Sequence, residues 1–494
     1  MLIPYVLLQV VVVPIVVAII CVLFGRRLGK NLGYVATAAL AYTTLLLTFV
    51  CAQFWSQRVP IFEEYHWSTA VFSLQFGFLA DGLSLPVALV MNLICTVMAC
   101  YSVNYMEHRV EQIYGKEKTE MYPIYYSLFL LFPAGLVGIA LSTNLIELYL
   151  FVESGLIPFY ILMDLFGYAD RHRIAMMSFI WTQVGAAIFL IGAVVASTGT
   201  GSFNISALST ISGTSLGFLV CFLMLVGWLV KMATFGFHVW LPYVHTEHPT
   251  SIAPILATMV GVGNYVLARL LVGYLFLSFQ IFSVPLMILA VVTMIYGALL
   301  TIAQDDVKRL FACSTIGQTS YSLLGIASLT QMGVAGGVFY FVSHIIGKCI
   351  LFSVAGILVT QTGVRSIKEM GGLAQRMPFT AMLCILGSMV LSAIPPLSGF
   401  QAEWIMFVGI FTKGVTGSTP YLIIGIIAIF ATFLTSVYTF WPAIRIFFGP
   451  LAPNMEKVKE APLSMTLPLF VLAIVSLLIG IFPNLILRFL QSVI

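Results

Sequence analysis

The stretch "LVGWLVKMATFGFHVWLP", from Leu225 to Pro242, decides the fold. Its first half is an apolar run of helical type with Lys231 set inside it, and Gly236 and Pro242 interrupt its second half. The rest of the chain says where that lysine lies. Of 494 residues, 61% are hydrophobic and 8% are charged, against about 25% charged in a soluble domain. That is too little charge to clothe a water-facing surface. Apolar runs recur instead, many near the roughly 20 residues that cross a bilayer as helix. They are continuous rather than alternating, which argues against a β-barrel. The expected class is all-α and polytopic, with Lys231 inside the hydrocarbon layer. A charge there costs about 2.5–3.5 kcal/mol on insertion scales, so it marks function.

Working outward, the runs predict about fourteen spans, from 4–25 to 464–490, with two of them broken. Helix 7 (215–236) runs into the Gly236–Pro242 stretch. Helix 12 (379–412) contains "SAIPPLSGF", where Pro395 and Pro396 remove backbone donors. Broken backbone at membrane depth persists where it lines a cavity or is buried in protein. The N-terminal run, with no basic start and no small-residue cleavage site, reads as the first span rather than a signal peptide. Loop cations gather on the odd-numbered connections. The even side, with the C-terminal tail, holds only Arg58, Lys413 and Arg488. By the positive-inside bias the odd loops are cytoplasmic and both termini lie outside, in the cell membrane. The longest polar interval, "QRVPIFEEYHWSTAVFSLQFGFLADG", is an outer loop; no soluble domain and no Rossmann or P-loop motif is present. The eight cysteines show no C-x-x-C and read as packing residues, so an iron–sulfur cluster is not expected in this chain.

Removing the loop residues leaves Glu147, Glu153, Asp164, Lys231, Arg269, His344, Lys348 and Glu403 in or near the spans. Glu153 lies mid-helix in "LYLFVESGLIPFY". His344 and Lys348, one helical turn apart in "FVSHIIGKCILF", share a face. Glu403 comes after the Pro-Pro break. These five (Glu153, Lys231, His344, Lys348 and Glu403) are the candidates for proton handling. Asp164, Arg269 and Glu147 sit near helix ends, where side chains reach the interface, and Asp81 reads as a helix cap. His238, His245 and His248 flank a turn and read as loop structure or proton access rather than a metal set. Buried acids and bases, two broken helices and no energy-coupling domain are the anatomy of an ion transporter.

At these residues the chain resembles the antiporter-like subunits of respiratory complex I. "LYLFVESGLIPFYILMDLFGY", "KMATFGFHVWLPYVHTEHPTS", "DDVKRLFACSTIGQTSYSLLG" and "PPLSGFQAEW" carry the likeness in order and spacing. The resemblance implies fourteen helices with two inverted five-helix repeats and helices 7 and 12 as the broken pair. It implies an N-terminal three-helix segment (1–121), repeats at 122–276 and 279–447, and a C-terminal helix (464–494). Its helix 5 glutamate matches Glu153, its helix 7 lysine Lys231, and its charged residue after the helix 12 break Glu403, a glutamate as in the M-type chain. Two positions depart. The usual helix 8 lysine is replaced by Gly261 or Val262, and a histidine common on helix 10 by Gln318. His344 and Lys348 are then expected to bridge the gap, helped by water near Asn264 and Gln318. The departures and "HTEHPTSIAPILA" suggest an archaeal relative of the reduced-deazaflavin dehydrogenases that pass electrons to methanophenazine or a quinone.

The resulting expectation is a proton-translocating subunit of a redox-driven complex, moving protons through Glu153, Lys231, His344, Lys348 and Glu403. It holds no cofactor of its own. Flavin and iron–sulfur clusters belong to partner subunits, and neighbouring antiporter-like chains and membrane lipid are its partners; no nucleic acid is. A subunit of a Mrp-type cation/proton antiporter, or of a membrane-bound hydrogenase, is the alternative.

Overall fold

The structure, a computed structural model, describes residues 3–68, 73–115 and 118–491. Lys116, one of the cations of the odd-numbered loops, lies outside them, as does the middle of the long polar interval. The chain is a multi-pass bundle. In order it forms α1 (Val6–Phe24), α2 (Leu32–Gln57), a hairpin of β1 (Ile61–Ser68) and β2 (Ser73–Ala80), α3 (Ser84–Tyr114), α4 (Met121–Leu141) and α5 (Leu145–Phe166). Next come α6 (Arg171–Thr200), α7 (Ser215–Lys231), a short α8 (Leu241–Glu247), α9 (Ala253–Val266, continuing as π-helix to Val272), α10 (Phe276–Phe279), α11 (Ser283–Ile302) and α12 (Val307–Ala327). The chain ends with α13 (Gln331–Thr362), α14 (Pro378–Leu391), α15 (Ser398–Val415), α16 (Thr419–Phe447), α17 (Leu463–Ile481) and α18 (Asn484–Leu490).

Among the described residues eleven helical segments are long and apolar enough to cross a membrane. The two expected breaks are present. α7 stops at Lys231 and the chain resumes as α8, and α14 stops at Leu391 and resumes as α15. Both stops use the same device, an alanine in the left-handed region two residues beyond the helix, Ala233 at φ 51° and Ala393 at φ 52°.

The polar interval departs from the all-α expectation. It is an antiparallel hairpin pairing Ile61 with Ala80 through Ser68 with Ser73. The first six residues of "SLQFGFLA", Ser73 to Phe78, alternate polar or small with apolar residues at period two, the pattern of a half-buried strand. The hairpin is tied down by two carboxylates. Glu63 accepts from the Leu7 and Leu8 backbone amides at 3.1 and 3.0 Å, placing an anion at the positive start of α1. Glu147, buried rather than at the interface, accepts from Gly77 and Thr143 amides at 3.3 and 3.4 Å.

Helices pack through small residues, since lipid supplies no hydrophobic force between them. A Cβ on Gly185 of α6 would meet the Gly227 carbonyl of α7 at 2.7 Å, and the converse substitution meets the same distance. α13 is the most enclosed span and packs on α3, α9, α12, α14, α15 and α17. All of α12 but Arg309 is buried too, although it carries Ser314, Thr315, Gln318, Thr319, Ser320 and Ser322. A polar helix at the centre of a membrane bundle is a polar interior.

Candidate functional site

Glu153 comes from the middle of α5 and is half-buried. Gln183 and Tyr149 lie beside its carboxylate, and Oε1 has no hydrogen-bond partner. The cation it faces is Lys231. Among the described residues the two make no ion pair within 4.0 Å, so they are partners across a gap rather than a closed bridge. Lys231 is the last residue of α7, where the helix dipole is negative and favours a cation. Its stem runs beside Gly185, whose missing Cβ would sit 3.1 Å from Lys231 Cγ.

Lys231 lines a cavity of about 30 Å³ with Thr182, Trp240, His245, Phe159 and Met259. That volume is large enough for a water molecule. His245 is the residue that sequence reasoning misses. Its sequence places it with the loop histidines, yet α8 turns back into the protein after the break and carries it inward. Its side chain is fully buried, with neither ring nitrogen partnered, 5.3 Å from the Phe352 ring of α13. Lys348 and the His344 imidazole are neighbours of that ring. The other two histidines of the segment do bind structure. His238 meets Tyr296 Oη at 2.9 Å, and His248 stacks on Phe159 with Nε2 3.3 Å from its carbonyl.

His344 and Lys348 sit on α13 as the helical spacing predicts, and both are buried. Lys348 Nζ donates to the Phe311 carbonyl at 2.9 Å and to Ser314 Oγ, both on α12. Both ring nitrogens of His344 lack a partner. The helix 8 position explains itself sterically. A Cβ on Gly261 would lie 2.6 Å from the Phe341 ring, so α9 rides directly on α13 and leaves no room for a lysine stem.

Beyond His344 the interior continues through hydroxyls. Tyr340 stacks on His344 at 6.5 Å and donates to Gln318 Oε1 at 2.7 Å. Gln318 Nε2 donates to Tyr438 Oη at 2.7 Å, and Tyr438 donates to Thr435 at 3.2 Å. Thr435 also bonds Tyr321 at 2.9 Å. Gln318, where the resemblance expects histidine, is thus held by two tyrosines. Glu403 lies next to Tyr321, Tyr340 and Tyr438. It is buried on α15, has no cation partner within 4.0 Å among the described residues, and lines a groove of about 780 Å³ between α15 and α16 with Phe400, Trp404, Phe407 and Thr432.

The remaining charges are structural. Arg269 does not reach for the interface. It is buried in a bidentate pair with Asp81, both contacts 2.7 Å, while Asp81 also caps α3 through the Leu83 and Ser84 amides at 3.0 and 2.9 Å. Asp164 holds His172 at 2.7 Å.

The five predicted residues and His245 therefore belong to one bundle, with Glu153 facing Lys231, Lys231 and His245 sharing a cavity, and His344 and Lys348 beside His245. Along that line Glu153 Oε1, Gln183 Oε1, Asn264 Oδ1 and all four ring nitrogens of His245 and His344 are buried without a protein partner. Such atoms call for water.

Residues 142–435 match the family described as NADH:quinone oxidoreductase/Mrp antiporter, TM, and residues 67–114 match the complex I chain 5 N-terminus. The F(420)H(2) dehydrogenase subunit M of Methanosarcina mazei is 27% identical over 96% of this chain and 94% of its own. The NAD(P)H-quinone oxidoreductase chain 4 3 of Trichormus variabilis is 30% identical over 97% of this chain and 88% of its own. Relatives thus come from cyanobacteria as well as a methanogen, and the archaeal placement expected above is not singled out. The fold is shared with a chain of respiratory complex I from Thermus thermophilus (TM-score 0.84, 23% identity, 99% of each chain) and one of the Mrp complex from Dietzia sp. (TM-score 0.86, 20% identity, 99% and 97%). This chain belongs to the transmembrane family of NADH:quinone oxidoreductase and Mrp antiporter subunits.

Proposed function

We propose that this chain is the proton-translocating membrane subunit of a complex I-like, redox-driven pump. The observation that carries the reading is the row of partnerless buried polar atoms joining Glu153 and Lys231 to His245, His344 and Lys348. An ionised Glu153 holds the proton on Lys231. When a neighbouring subunit neutralises Glu153, the ammonium loses its counter-charge and releases its proton to the water cavity and His245. From there it passes to His344 and Lys348. The tyrosine and threonine hydroxyls about Gln318 lead on to Glu403. Moving one charge against 100 mV costs about 2.3 kcal/mol, which partner subunits deliver as charge changes at Glu153.

The finer reading of the architecture is fourteen crossings: three helices in the 1–121 segment, inverted repeats at 122–276 and 279–447, and the 464–494 helix. Matching turns support the repeats. Asn144 caps α5 while Leu145 N bonds Phe203 O, and Asp306 caps α12 while Val307 N bonds Arg365 O. The basic loops then face the cytoplasm, and the hairpin and both termini face outward. We assign flavin and iron–sulfur cofactors to partner subunits, with electrons passing from NADH or a reduced deazaflavin to a quinone or methanophenazine. The relatives' names support a quinone oxidoreductase over the Mrp antiporter, which is alike at the level of fold.

The test is Lys231→Ala in the assembled complex in sealed vesicles. Proton uptake falls at least about 100-fold, the size of an acid–base contribution, while electron transfer continues. Unchanged pumping refutes the reading. Sodium-driven proton exchange with no redox subunits co-purifying assigns the antiporter function instead.

A further inference from the structure

On the side of the basic loops, the chain after α16 folds back over the turn that succeeds α13. Gly372 N bonds Phe448 O at 3.3 Å, and Ala452 N bonds Gly371 O at 3.1 Å. This closure leaves a cavity of about 570 Å³ with Lys368 on one wall and Arg445 on the other, and Ile444, Phe448 and Leu451 between them. Arg445 Nη2 reaches the Lys368 carbonyl at 3.5 Å. Among the described residues neither cation has a carboxylate within 4.0 Å. The side chains are therefore two like charges facing one cavity whose lining holds no carboxylate; Asp305 close by is engaged by the Lys368 backbone amide at 3.3 Å and by Ser366 Oγ at 2.7 Å.

Directly beneath runs an apolar stripe. Phe430, Phe433, Val437, Trp441 and Ile444 recur every three or four residues along α16, Phe448 follows just past its end, and all are exposed. A stripe at that period is one face of the helix. In a membrane-spanning helix that face belongs to acyl chains, with the tryptophan and the arginine at the headgroup level. The paired cations end the stripe where a phosphate would sit if a lipid lay along it.

We propose that this cavity is a binding site for an anionic phospholipid, its phosphate seated between Lys368 and Arg445 and an acyl chain lying on Trp441, Ile444 and Phe448. The bound lipid clips the end of α16 to the turn after α13. Its charge satisfies the two cations, and its chain covers a face that a free phosphate would leave bare. Each cation near an anionic surface contributes about fivefold in affinity, and the two together about 30-fold.

The experiment uses quenching by brominated lipids on the intact complex in bilayer discs, with the Trp441→Phe variant subtracted to isolate that tryptophan. Brominated phosphatidylglycerol is expected to quench Trp441 at a lower mole fraction than brominated phosphatidylcholine. The preference is lost in the Lys368→Gln/Arg445→Gln double variant, and Arg445→Lys retains part of it. Unaltered quenching by phosphatidylcholine in the double variant certifies that the face is still folded and lipid-exposed. Equal quenching by the two lipids in the native protein overturns the proposal. So does loss of the preference on adding inorganic phosphate, which makes the cavity a phosphate site. Absence of quenching by either lipid overturns it as well, because a neighbouring protein then covers this face.

Discussion

The two broken helices use one backbone device and put opposite charges at different places on it. In the first, Lys231 precedes the break, at the carbonyl end of α7. In the second, Glu403 comes after the break, in the second turn of α15. Lys231 sits at the carbonyl end of its helix, which favours a cation, whereas Glu403 lies a turn too far from the start of α15 to gain comparably. The surroundings differ as much as the sign. Lys231 faces a small cavity of about 30 Å³ among buried side chains that include Trp240 and Phe159. Glu403 opens on a groove of about 780 Å³ beside exposed Trp404. An enclosed base with a facing acid can exchange a proton only within the chain. An acid on an open flank exchanges with whatever stands beside the chain. Under the proposed function the first break would serve as an internal relay, and the second as a terminal.

The sharpest way to break this contrast is at the relay. His245→Ala removes the ionisable side chain that lines the Lys231 cavity from the far side. Proton transport in sealed vesicles is expected to fall about 100-fold, with electron transfer retained. His248→Phe, three residues on, keeps the stacking on Phe159 and is expected to leave transport nearly untouched. Equal losses in both variants would reduce α8 to a structural plug.

At the terminal the expected loss is smaller. Glu403→Gln keeps the shape and removes the charge, and transport drops about tenfold, or about 1.4 kcal/mol in the barrier. Because the groove faces outward, the size of this loss should depend on which membrane subunits are assembled alongside. Measuring it in the full complex and in a subcomplex lacking the flanking subunit decides the point. An identical loss in both would place Glu403 inside the chain's own relay after all.

Steric room gives a third comparison. Gly261→Ala forces a methyl against Phe341 and is expected to cost about 1–3 kcal/mol of stability, the usual penalty of overpacking. Thermal inactivation of the complex reads it. A Gly261→Lys variant that folded and pumped normally would show that α9 can move off α13.

Much of this is legible in the residues, for reasons that are local. Continuous apolar runs announce spans, Pro395–Pro396 and Gly236–Pro242 announce breaks, and an ammonium in an apolar run announces a site. The features that escape the sequence need partners distant in it. Arg269 is expected near water because its pairing with Asp81 joins residues far apart in the chain. Glu147 is expected at the interface because the hairpin that buries it is remote. His245 falls among loop residues because α8, at seven residues, is too short for a periodic face to reveal which side turns inward. The hairpin itself is legible in the alternation that opens "SLQFGFLA", and the polar residues around it make the interval read as a loop.

The smallest effect tests whether the two breaks are mechanically alike. Ala233 N bonds Val230 O at 3.3 Å and Ala393 N bonds Val390 O at 3.4 Å, each with φ near 50°. An L-residue in that region costs roughly 1–2 kcal/mol, which glycine avoids. Ala233→Gly and Ala393→Gly should therefore each stabilise the folded chain by up to about 1 kcal/mol, after glycine's own entropic cost. The kinetic consequences should differ. Beyond Ala233 the backbone is anchored by Thr234 Oγ1 on Leu229 O and by Phe235 N on Thr293 Oγ1, so added freedom is absorbed locally and pumping is unchanged. Beyond Ala393 the backbone is also held, by Ile394 N on Met389 O at 3.0 Å and by Ser398 Oγ on Ser343 and Ser476 at 2.7 Å, but the stretch flanks the wide groove, so a glycine there is expected to loosen the approach of α15 and slow transport through Glu403. Equal transport in the two variants would mean that both breaks are held with the same rigidity. The division into relay and terminal would then rest on charge placement alone.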